Sequence, residues 1–106
     1  MTPKGQTHAP QLRLARERIR EELKKKYPSA KELKKRLVEI QGNDGKISYT
    51  TCYTLAKEIF EEWYFDDIRD FYIECGYMSM YEFSHTRVVN DHYKRVAQVI
   101  LMNIDN

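Results

Sequence analysis

From Pro10 onward, apolar residues recur every three or four positions, at Leu12, Ala15, Ile19 and Leu23. That spacing lines one side of an α-helix and predicts a first helix, with Arg13, Arg16, Arg20 and Lys24 on its other faces. Tyr27-Pro28 ends it, because the residue before a proline is pushed out of the α region. Ser29 and Glu32 have the spacing of a capping box, in which the serine oxygen takes the third amide and the glutamate returns to the serine N–H. Leu33, Leu37, Val38 and Ile40 form the stripe of a second helix, and Gly42 supplies its stop. The run Gly42-Asn43-Asp44-Gly45 reads as a surface turn.

A third helix is expected to begin between Ser48 and Thr50 and to run to about Tyr64, with Cys52, Leu55, Ala56, Ile59, Phe60 and Trp63 on one face. Asp66 is expected to cap a fourth, carrying Ile68, Phe71, Tyr72 and Cys75 and closed by Gly76; the two helices are either separate or continuous. Ser79 and Glu82 repeat the capping-box spacing and predict a short fifth helix from Met80. The alternation from Tyr77 to Phe83 keeps a strand as the other reading. Asn90 or Asp91 is expected to cap the last helix, whose core face is Tyr93, Val96, Ala97, Ile100 and Ile104. The expectation is an all-α, compact single domain of five or six helices over residues 10–106, behind a flexible arm at 1–9.

Composition changes this picture little. At 106 residues, 42% hydrophobic and 32% charged, the chain has the balance of one globular domain with a modest core. Cys52 and Cys75 are the only cysteines and show no paired spacing, so they read as buried, reduced thiols. Residues 1–10 lack the apolar core of a secretion signal. The longest apolar run, Val99 to Met102, is far short of a membrane span. A soluble, cytoplasmic protein is the expectation.

Charge changes it more. Residues 1–46 carry 13 Lys+Arg against 6 Asp+Glu, whereas residues 47–106 carry 5 against 10. A near-neutral total hides a dipole, and such asymmetry points to charged partners. On the basic side, the two helices around residues 30–64 resemble a helix-turn-helix, whose second helix offers its N-terminal residues to base edges. The candidate nucleic-acid-binding residues are Lys31, Lys35, Lys46, Ser48, Tyr49, Thr50, Thr51, Tyr53 and Lys57: hydroxyls for bases or phosphates at a helix N-terminus, lysines for the backbone. The turn is longer than the usual three or four residues, and residues 48–64 hold no arginine or asparagine to read guanine or adenine. A plain helical hairpin with solvated lysines accounts for the same residues. The first helix interleaves Glu17, Glu21 and Glu22 with its bases, so part of its charge is self-neutralised.

On the acidic side, Glu58, Glu61, Glu62, Asp66, Asp67, Asp70 and Glu74 surround Tyr64, Phe65, Phe71 and Tyr72 with a single base, Arg69. Glu58, Glu61, Glu62, Tyr64, Asp67 and Asp70 are the candidate partner-binding residues, suited to a basic protein surface; an ordinary helix surface around core aromatics is the plainer account. Enzymatic readings lack parts. His8, His85 and His92 are scattered, Cys75 adds no metal-ligand spacing, and the Asp66, Asp70, Glu74 ladder reads first as a solvated face. There is no phosphate loop and no nucleophile elbow. The sequence points to a non-enzymatic protein without cofactor or metal. The leading expectation is a small regulatory protein that binds double-stranded DNA, working as a dimer. The alternative is a protein-interaction module, such as a phage or plasmid inhibitor, that docks a basic enzyme or nucleoprotein complex through residues 58–74.

Overall fold

The computed structural model describes residues 9–76 and 84–104, with side chains from residue 12 onward. Five α-helices follow one another among the described residues: α1 (Ala9–Lys26), α2 (Ala30–Gln41), α3 (Tyr49–Ile59), α4 (Phe65–Glu74) and α5 (His85–Met102). The all-α class read from the sequence is what the chain adopts. The helix or strand expected between Tyr77 and Phe83 lies outside the described residues. No helix among those described is long and apolar enough to cross a membrane.

Local chemistry explains most helix ends. Ser29 N-caps α2, its Oγ accepting from the Glu32 N–H at 3.2 Å. Gly42 closes the same helix in the left-handed region at φ 88, its N–H donating to the Val38 carbonyl, a conformation glycine adopts without a Cβ penalty. Gly76 ends α4 in the same way at φ 91. The Lys26 ammonium reaches the Ile59 carbonyl at 3.1 Å, so the end of α1 neutralises the C-terminus of α3. Replacing Ser29 by alanine is expected to destabilise the protein by about 1 kcal/mol; a urea midpoint equal to wild type would contradict that role.

Three boundaries differ from expectation. The third helix stops at Ile59 instead of Tyr64, and it is not continuous with the fourth: Phe60 leaves helical geometry and the Trp63 N–H turns back to the Phe60 carbonyl at 3.0 Å. Phe60 is 2% exposed and Trp63 half-buried, so the chain breaks while the apolar pattern continues. The fourth helix is capped at Tyr64, not Asp66. The Asp67 carboxylate accepts the Tyr64 N–H at 2.9 Å, while Asp66 sits in the first turn and pairs with Arg69 at 3.4 Å. The last helix begins at His85 behind a Ser84 cap, whose Oγ accepts from the Arg87 N–H. Asn90 and Asp91 are inside it, on the outer side, with Asp91 toward Arg87 at 3.9 Å.

The helix α5 is the hub. It packs on α3, α1 and α4, while α2 packs on α3. One core cluster joins all five helices, with Ala15 and Ile19 from α1, Leu33 and Leu37 from α2, Leu55 and Ala56 from α3, Ile68 and Tyr72 from α4, and Val96 and Ile100 from α5. Cys52 and Cys75 are free thiols buried in it. Burial pushes the Cys52 thiol up to about 11 and raises Cys75 as well, which leaves both as small apolar groups at neutral pH.

A polar contact runs through this core. The His92 ring is fully buried, and its Nδ1 meets the Tyr72 hydroxyl at 2.7 Å. Phe60 stands edge-on to it at 4.7 Å between centroids, and Trp63 lies parallel to it at 5.8 Å. Burial first, and the Arg95 charge second, hold His92 down to about 3. It is therefore neutral at physiological pH.

Candidate nucleic-acid interface

The connection between α2 and α3 is organised by one side chain, Gln41, at the end of α2. Its Oε1 accepts from the Ser48 N–H and the Thr51 hydroxyl, both at 3.0 Å. Its Nε2 donates toward the Asn43 Oδ1 and the Gly45 and Lys46 carbonyls at 3.0–3.3 Å. Asn43 Oδ1 also takes the Gly45 N–H at 2.9 Å. A turn longer than that of a helix-turn-helix is thus tied end to end, because one amide satisfies backbone groups that would otherwise be left to water. Nothing in the spacing of the sequence marked Gln41 for this role.

The candidate residues divide accordingly. Ser48 is the N-cap of α3, its Oγ accepting from the Thr51 N–H at 3.2 Å and lying 2.9 Å from the Thr51 hydroxyl. Thr51 itself is 6% exposed. Both hydroxyls are engaged within the chain. Tyr49, Thr50, Lys46 and Lys57 are exposed, and Tyr53 is half-buried. On α2, Lys31 and Lys35 are exposed on that helix's own solvent side, whereas Arg36 turns to Glu58 of α3 and forms an ion pair with it. Glu58, half-buried and paired, is thereby removed from the acidic set.

Packing against α5 adds residues that the sequence did not single out. The Tyr49 hydroxyl lies 3.5 Å from the Lys94 carbonyl. Tyr53 sits 6.4 Å from Tyr49 and edge-on to Tyr93 at 6.1 Å between centroids. The Lys57 ammonium lies over the Tyr53 ring at 5.1 Å, a cation–π contact that positions the charge at the surface. Thr50 and Thr54 occupy the outer ridge of α3, with Thr54 bonded back to the Thr50 carbonyl at 3.1 Å. Asn90, one turn before Lys94, extends the face along α5. Three tyrosines, Lys57, Lys94, two threonines and an amide share this two-helix face, with Lys46 exposed on the turn before α3 and Asp91 beside Lys94. Burial raises the Tyr49 and Tyr93 hydroxyls, so both are neutral donors at physiological pH.

The acidic residues gather elsewhere. Glu62, Asp67, Asp70 and Glu74 line an open cleft of about 470 Å³ whose other walls are the Trp63 and Phe71 rings. Arg18 reaches Glu74 at 3.6 Å, Arg69 binds Asp70 at 3.1 Å, and Tyr64, at the start of α4, has 78% of its surface exposed. Glu61 is exposed on the turn after α3. No cluster of three His, Cys, Asp or Glu fit to hold a metal occurs among the described residues. His85 stacks on Phe65 at 3.7 Å, away from His92 in the core.

The fold and these surfaces define an all-α protein with a basic, tyrosine-rich face on α3 and α5 and a separate acidic cleft on α4. Compared with known protein families, with characterised proteins and with solved structures, the chain has no match.

Proposed function

We propose that this is a small regulatory protein that binds duplex DNA through α3. The observation that carries the reading is the face around α3, where Lys57 and Lys94 meet Tyr49, Tyr53 and Tyr93 and Lys46 is exposed just before the helix begins. Lys46 and Lys57 neutralise phosphates at the two ends of α3, and Lys94 extends the contact from α5. Tyr49, Thr50 and Tyr53 face the bases. The engaged hydroxyls of Ser48 and Thr51 hold the start of the helix in place, and Lys31 and Lys35 add longer-range attraction.

Titrating a labelled duplex over a salt series tests this. The Lys46→Glu, Lys57→Glu double variant is expected to weaken binding strongly and to lower the slope of log affinity against log salt by about 2, one counterion for each phosphate lost. The Glu61→Lys, Asp67→Lys variant is expected to bind as well as wild type or better. Thr50→Ala is expected to relax sequence preference by about 1–3 kcal/mol. No shift of any duplex at low salt would sink the proposal.

A second reading is favoured by the acidic cleft. Four carboxylates around two rings suit an arginine-rich segment of a protein partner, with charge outside and cation–π contact inside. Trp63 is the only tryptophan and lines the cleft, so its fluorescence reports occupancy. An arginine-rich peptide that leaves the Trp63 emission unchanged would exclude this reading without touching the first.

A further inference from the structure

On the side of α5 next to α1 lies an open pocket of about 290 Å³, lined by Arg16 of α1 and Asp91, Lys94, Arg95 and Gln98 of α5. Three cations converge on it with one carboxylate. None of Arg16, Lys94 and Arg95 has an ion-pair partner among the described residues, and Asp91 leans toward Arg87, which is not part of the pocket wall. Three like charges with a single carboxylate among them repel on balance, so the arrangement is unfavourable by itself and favourable around an anion.

A second observation concerns Arg95. Its guanidinium is held 5.1 Å from the centroid of the buried Tyr72 ring, while its Nη1 is buried and has no hydrogen-bond partner. A buried, unpaired donor on a charged group carries a large desolvation penalty, and a native structure retains one where something is bound or moves. Gln98, one helical turn after Lys94, adds an amide donor at the same opening.

We propose that this pocket binds a phosphate group. Its charge excess of two matches a phosphate dianion, and guanidinium forks with an amide donor match phosphate oxygens better than they match a spherical halide. The Lys94 side chain lines the pocket while its carbonyl meets Tyr49 of the α3 face, so the pocket adjoins that face across α5. The proposal does not depend on the duplex reading.

The test uses the full chain, followed by two-dimensional nuclear magnetic resonance. Inorganic phosphate is titrated against sodium chloride at matched ionic strength. The expected result is saturable shifts confined to Arg16, Lys94, Arg95, Gln98 and their neighbours with phosphate alone, and at least tenfold weaker binding in Arg16→Gln. Arg16 lies outside the fully buried core, and Gln98→Ala, at an exposed position, serves as a second variant. Equal responses to phosphate and chloride, or unchanged phosphate binding in both variants, would overturn the proposal. A short duplex titrated next identifies the source. Shifts of the same signals that inorganic phosphate competes away mean that a strand supplies the group. Phosphate shifts without duplex shifts mean a free or small-molecule phosphate, and the pocket assignment stands. Duplex shifts confined to α3 with no phosphate response remove the pocket and leave the duplex reading in place.

Discussion

Truncating Phe60 to alanine is expected to destabilise the protein by about 3–5 kcal/mol, the range for deleting a buried aromatic ring. A domain of this kind has a total stability of about 5–15 kcal/mol, so the variant should sit near the edge of unfolding. The reason is positional. Phe60 is 2% exposed at the break after α3, with its ring edge-on to Trp63 and to His92 at 4.7 Å each. Removing it opens a cavity beside the buried His92 and frees the turn that directs the chain into α4. The neighbouring Tyr64→Ala, at 78% exposure, is expected to change stability by no more than about 0.5 kcal/mol. Urea denaturation of both variants checks the contrast. Similar midpoints for the two would show that the break between α3 and α4 is not anchored by this ring.

The second large effect is acid instability centred on His92. Its folded value of about 3 lies below the ordinary 6.5, so the unfolded chain binds a proton more readily than the folded one. Stability is fully present above pH 6.5 and falls as pH drops from 6.5 toward 3, by about 1.4 kcal/mol per pH unit. From pH 7 to 4.5 this residue alone is expected to remove about 2.5 kcal/mol. His92→Phe should flatten that slope. At neutral pH it should also cost about 1–3 kcal/mol, because the Tyr72 hydroxyl loses its partner in the core. Adding Tyr72→Phe should recover part of that loss. Denaturation midpoints between pH 7.5 and 4 measure all three proteins, and an unaltered slope in His92→Phe would assign the acid sensitivity to other groups.

The helices whose signals are local were the readable ones. The second helix has a serine cap, a stripe of Leu33 and Leu37 and a glycine stop within 14 residues, and it forms between Ala30 and Gln41. The end of the third helix could not be read by periodicity. Phe60 and Trp63 continue the apolar spacing past Ile59, since a turn that folds both rings inward buries them as a helix would. The start of the last helix was missed for a different reason. Ser84 caps it, but Arg87 stands where a capping box would have glutamate, so Asn90 and Asp91 carry the stronger local cap signal although they lie on its outer side. His92 offered no sign of its surroundings, because the rings around it come from residues 60, 63, 71 and 72 and meet it only in three dimensions.

By itself the sequence determined the helical class, the breaks at Pro28, Gly42 and Gly76, and the separation of basic and acidic halves. Caps, breakers and apolar spacing act within a turn or two of the chain, so their outcome is written in neighbouring residues. Only the tertiary structure decided how those elements are used. It tied the Ser48 N–H and the buried Thr51 hydroxyl to Gln41 and took Glu58 out of the acidic set through Arg36. It also brought Lys94 beside Tyr49 across 45 positions of chain and set Arg16 next to Arg95. Those pairings follow from which faces α1 and α3 bury against α5. That choice depends on the packing of the whole core, and no short stretch of sequence specifies it.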